Sequence, residues 1–130
     1  MASLFTRIIE GEIPSHRVYE DEYTVAFLDI NPRSEGHTLV VPRRQVDYLF
    51  DLPEEDYTAL WASCAVVATA LKAVTGCQRV VVLVIGYEIP HAHVHLIPSN
   101  EVGDIPIPPV DEAAAQRLAA TAERVRAAVG

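Results

Sequence analysis

The chain has 130 residues, half of them hydrophobic, and carries ten basic against eighteen acidic side chains for a net charge of −8. That length fits one domain, and the apolar content excludes a disordered chain, which lacks the surface to build a core. So acidic a balance argues against gripping a nucleic-acid backbone or an anionic membrane, both of which need a lysine and arginine footprint.

No apolar run approaches the roughly 20 residues expected of a bilayer span. The start, from Met1 to Arg7, lacks the basic segment and long apolar stretch of a secretory signal. Cys64 and Cys77 form no C-x-x-C pair, which suits reduced thiols in a cytoplasmic protein.

In chain order, residues 3–13 place Leu4, Phe5, Ile8 and Ile9 at helical spacing, ended by Gly11 and Pro14. Arg17–Glu20 and Tyr23–Asp29 read as a hairpin turning at Asp21-Glu22. Asn31 to Gly36 is a turn-rich loop, and His37–Val41 is a β-branched strand stopped by Pro42. Residues 43–50 fit a short helix. A longer helix starts near Asp51-Leu52-Pro53-Glu54 with Asp51 as its cap, and runs to Val74. Its stripe is Leu60, Cys64, Val67 and Leu71, and Gly76 stops it.

Arg79–Ile85 is an almost continuous valine run and reads as a strand buried on both sides. A further strand is expected over His91–Ile97. Residues 101–110 are proline-rich and irregular, and 111–129 form an alanine-rich helix with Leu118, Ala122 and Val125 on one side. Hairpins mixed with helices give an α+β class: an antiparallel sheet, one long helix, a short N-terminal helix and a C-terminal helix, in a single domain over 1–130.

The run Pro90-His91-Ala92-His93-Val94-His95-Leu96-Ile97-Pro98 carries the chemistry. Alternate strand residues share a face, which sets His91, His93 and His95 on one side, about 7 Å apart in succession, and Ala92, Val94 and Leu96 on the other. Three imidazoles on one face are poor core packing. They fit a metal site, with His37 or Glu88 completing the ligand set. They also fit a nucleophilic site in which the middle imidazole attacks phosphorus and the others serve it. Neutral imidazole has a free nitrogen near pH 7, and a covalent intermediate splits one hard displacement into two easier ones.

The stretch His91-Ala92-His93-Val94-His95-Leu96-Ile97 resembles the signature of the histidine-triad (HIT) superfamily, three histidines alternating with apolar residues. The resemblance covers about residues 3–98. Leu4-Phe5-Thr6-Arg7-Ile8-Ile9, Glu12-Ile13-Pro14, Tyr19-Glu20-Asp21, Ala26-Phe27-Leu28-Asp29-Ile30 and Gly36-His37-Thr38-Leu39-Val40-Val41-Pro42 follow in the family's order. It is most similar to the Hint branch, whose members are homodimers that bind purine nucleoside phosphates and hydrolyse phosphoramidates or related phosphoanhydrides.

The resemblance implies a HIT-like fold with His93 as nucleophile, His95 contacting phosphate, and His91 and His37 orienting them. Asp29 would accept from the ribose hydroxyls, and Leu4, Phe5, Ile8, Phe27 and Ile30 would wall the base. The ligand would be a nucleoside monophosphate or nucleotide conjugate, with no cofactor or metal. The function so implied is a hydrolase or transferase acting at the α-phosphorus through a nucleotidyl-histidine.

Three departures stand out. Glu88 occupies the place of a hydroxyl residue that donates on the leaving-group side, and the usual asparagine of the preceding loop has no counterpart. Thr6 stands where some bacterial members have a zinc-binding cysteine. Two alternatives therefore stay open: a nucleotide-binding or regulatory module with little catalysis, and a metal-dependent hydrolase using the histidine cluster.

Overall fold

The computed structural model describes residues 1–130. A helix α1, Leu4–Ile9, precedes strands β1 (Arg17–Glu20), β2 (Thr24–Leu28) and β3 (Thr38–Pro42). The long helix α2, Glu54–Thr75, then leads to β4 (Arg79–Leu83) and β5 (Val94–Ser99), and α3 (Glu112–Ala115) and α4 (Leu118–Val129) end the chain. The strands form one antiparallel sheet in the order β1-β2-β3-β5-β4. The class is α+β, as expected.

The hairpin turn is built by Asp21. Its Oδ1 accepts from the Tyr23 and Thr24 amides and the Thr24 hydroxyl, while Oδ2 accepts from Tyr19 and Ser63. Desolvation alone would raise this carboxyl, but the accepted hydrogen bonds overcome it and hold it at about 2.

Strand parity divides the core. Ala26, Val40, Val94 and Leu96 face α2, where Leu60, Cys64, Val67 and Leu71 form the buried stripe. Val25, Phe27, Leu39 and Val41 face the other way and are covered by Phe5 and Ile8 of α1. A cleft lined by His93 and His95 opens on this second face. Helix α2 is long and apolar enough to cross a bilayer, contrary to the expectation from the sequence. Its stripe is packed on the sheet, and its first turn carries Asp56, buried and paired to Arg44 at 2.9 Å.

Other boundaries differ from the expectation for local reasons. Asp51 does not cap α2; it closes a single 3-10 turn, Leu49–Asp51, which is all that forms from the helix expected over 43–50. Pro53 takes the cap position with no side-chain hydrogen bond. β4 ends at Leu83 and lies at the sheet edge with none of its residues fully buried, so the valine run does not mark a doubly covered strand. The C-terminal helix breaks at Gln116-Arg117, and no residue of α3 or α4 is buried.

Candidate active site

His93 stands just ahead of β5, where the β3 ladder ends at the Val40–Val94 pair. Its Nδ1–H donates to the His91 carbonyl at 2.8 Å. A carbonyl accepts only, so Nδ1 carries the proton and Nε2 keeps its lone pair. Nε2 makes no hydrogen bond. Among buried side-chain nitrogens and oxygens only Trp61 Nε1 lacks a partner, so His93 Nε2 is reachable from the cleft that His93 lines. The Phe5 ring meets the imidazole edge-on, centroids 4.8 Å apart, and holds it against rotation.

His95 lies on β5 and shares this face. A chain of donors fixes its proton. The Arg33 amide donates to His37 Nδ1 at 3.0 Å, which leaves the His37 proton on Nε2. That N–H donates to His95 Nδ1, also at 3.0 Å, so the His95 proton sits on Nε2 and is free to donate into the cleft. Burial, then the electrostatic influence of His93 and His37, hold His95 at about 4, and burial likewise lowers His37 despite Asp29 nearby. Both rings are therefore neutral at pH 7, one a relay and the other a terminal donor.

Asp29 brings Oδ2 to 3.5 Å from His37 Nε2, while Oδ1 accepts from the Asn31 amide at 2.8 Å. The residue thus makes a turn and also presents a carboxylate to the cleft. Asp29, His37 and His95 set three ligand atoms within 4.8 Å of one another. They are a poor cation site in this arrangement. Coordination through His37 Nε2 would move its proton to Nδ1, against the Arg33 N–H, leaving two donors face to face.

The cleft holds about 580 Å³. Leu4, Phe5, Ile8, Phe27 and Ile30 all line it, and Glu88 stands exposed at its mouth with Tyr87. Leu39 and Ile97 also line it and were missed, although their parity with Phe27 and His95 would have found them. Arg33 was also missed. It is the one Lys or Arg side chain on the lining, in a loop with no periodic signal.

His91 departs from the expected shared face. Strand alternation applies only where the ladder is paired, and the chain turns at His91, whose amide donates to Ile89 O. The ring is fully buried and does not line the cleft. Its Nε2–H donates to the Pro42 carbonyl at 2.7 Å, so Nδ1 accepts from the Ser3 hydroxyl at 2.7 Å. The residue supports His93 through its backbone instead of meeting a ligand beside it.

A family model described as the HIT domain matches residues 10–102. The chain belongs to the HIT family. It is 39% identical over 102 residues to an uncharacterised HIT-like protein of Methanocaldococcus jannaschii, covering 75% of this chain and 79% of that one. It is 37% identical over 101 residues to an adenosine 5'-monophosphoramidase of Saccharomyces cerevisiae, covering 77% and 64%. Among solved structures, a HIT family protein of Bacillus anthracis superposes with a TM-score of 0.84 at 29% identity, covering 98% of this chain and 96% of that one. That superposition reaches into the C-terminal segment, beyond the residues that the family model matches.

Proposed function

We propose that this HIT protein hydrolyses, or transfers the nucleotidyl group of, nucleoside phosphoramidates and related conjugates through a covalent intermediate on His93. One observation carries the reading: the His91 carbonyl locks the His93 proton on Nδ1, so Nε2 reaches the cleft as an unshielded lone pair. The yeast relative's name, an adenosine 5'-monophosphoramidase, supports the same substrate class.

In the first step Nε2 forms a bond to the α-phosphorus while the phosphorus–nitrogen bond breaks, and the amine leaves with a proton from solvent. The positive charge that develops on His93 is shared with the His91 carbonyl through Nδ1–H. His95 Nε2–H donates to a non-bridging oxygen, where charge is greatest in the transition state. Water then displaces the imidazole and releases the nucleoside monophosphate. Asp29 accepts from the ribose, the apolar wall holds the base, and Arg33 supplies the local positive charge that the acidic chain as a whole lacks.

Quenching a reaction with an adenosine phosphoramidate and mapping peptides by mass spectrometry checks this directly, with the nucleotidyl group expected on His93. His93→Asn should lower turnover by at least ~10³-fold. A variant as fast as the wild type would end the assignment. Glu88 favours a second reading, since a carboxylate at the mouth repels phosphate: a nucleotide-binding module with slow chemistry. Tight nucleotide binding without turnover of any phosphoramidate selects it. The proposal includes a homodimer paired along β4, whose edge is open and followed by exposed Val84 and Ile85. Sedimentation at micromolar concentration tests that assembly.

A further inference from the structure

Ser3, Thr6 and Gln45 lie outside the cleft, yet they converge on His91. The Ser3 hydroxyl accepts from the Thr6 amide at 3.0 Å as the cap of α1, and its single proton goes to His91 Nδ1 at 2.7 Å. Gln45 Oε1 accepts from the Ser3 amide and the Thr6 hydroxyl, each at 2.7 Å, and Gln45 Nε2 donates to the Met1 carbonyl at 2.8 Å. Phe5, between Ser3 and Thr6 on the same helix, packs edge-on against His91 and His93 together.

We propose that this clasp is a positioning device for the nucleophile: Ser3, held by Thr6 and Gln45, fixes the tautomer and seat of His91, and the His91 carbonyl in turn fixes the Nδ1 proton of His93. The inference rests on the reading of His93 as nucleophile. His91 Nε2 must hold a proton, because it faces the Pro42 carbonyl at 2.7 Å, and two acceptors at that distance repel. His91 Nδ1 then needs a donor, and it is fully buried, so water does not supply one. Without the Ser3 proton only the Thr6 hydroxyl stands near that nitrogen, at 3.4 Å, and its own proton is committed to Gln45 Oε1 at 2.7 Å. The ring then shifts or takes a second proton, and the carbonyl two residues before His93 Nδ1 moves with it.

Three variants separate positioning from simple helix capping. Ser3→Thr keeps both cap and donor. Ser3→Asp keeps a cap as good as serine but offers no proton. Ser3→Ala removes both. The expected kcat is near wild type for Ser3→Thr and falls about 10- to 100-fold for Ser3→Asp and Ser3→Ala. The Kd for adenosine monophosphate by calorimetry should stay within about threefold, since none of the three clasp residues lines the cleft. A merely structural role predicts Ser3→Asp equal to wild type, and that result overturns the proposal.

A second readout needs no activity. Long-range ¹H–¹⁵N spectra of the histidine rings should show His93 protonated at Nδ1 in the wild type and Ser3→Thr, with that pattern lost in Ser3→Asp and Ser3→Ala. An unchanged His93 pattern in both of the latter also overturns the clasp. If wild type itself fails to turn over any phosphoramidate, the functional reading fails, while the spectra still decide whether Ser3 governs His93.

Discussion

Replacing His37 with phenylalanine tests the donor relay with a magnitude that the structure sets. The change keeps an aromatic ring in a nearly sealed site, 2% exposed, and removes the N–H that His95 Nδ1 accepts at 3.0 Å. A hydrogen bond of this kind contributes about 0.5–1.5 kcal/mol, and here it biases one tautomer of His95 over the other. Losing the bond also leaves His95 Nδ1 without its donor, so the ring loses the seat that aims Nε2–H at the phosphoryl oxygen, and 1.4 kcal/mol corresponds to about tenfold. Turnover of an adenosine phosphoramidate should therefore fall about 2- to 12-fold in kcat. His37→Gln is the control, because its amide nitrogen falls near the lost Nε2 and still donates. It should stay within about threefold of wild type. Steady-state kinetics at pH 7, with circular dichroism to confirm folding, decide the matter. Equal kcat values for the Phe and Gln variants would refute the relay.

Leu60 is fully buried between α2 and the sheet, so Leu60→Ala should destabilise by about 2–5 kcal/mol in urea titrations. Arg33→Ala removes the cation of the cleft but leaves the backbone amide that holds His37, so KM for an anionic substrate should rise about 3- to 10-fold with kcat nearly unchanged. Acid should destabilise the fold in two windows. Burial lowers His37 and His91, and holds His95 at about 4, so the unfolded chain takes up their protons first, and stability falls as pH drops from about 6.5 towards 4. Asp21, held at about 2 against an ordinary value near 3.9, contributes stability above pH 4 that is lost as pH falls through 2. Urea midpoints from pH 8 to pH 2 should show both declines, with Asp21→Asn flattening only the second.

Much of the scaffold was legible because it rests on short-range rules. Val94, His95 and Leu96 alternate as a paired strand requires, so His95 falls on the cleft face and its neighbours on α2. The stripe Leu60, Cys64, Val67 and Leu71 repeats at helical spacing and is the buried side of α2. The walls at Phe5, Ile8 and Phe27 came from the family resemblance; in the structure, helical spacing puts Phe5 and Ile8 on the buried side of α1, and strand parity turns Phe27 towards them.

The sequence by itself determined the class of the fold, the placement of α2 and the identity of the four histidines that meet, since periodicity and residue chemistry are local properties. Tertiary structure decided what each histidine does. Only long-range pairing shows that the valines of β4 lie at an open edge, because a run of apolar residues reads the same whether or not another strand lies beside it. The proton on His93 is settled by a carbonyl that belongs to His91, and the seat of His91 by Ser3, eighty-eight residues earlier in the chain. Tautomers depend on which donor or acceptor stands opposite each ring nitrogen, and that is known once the chain has folded.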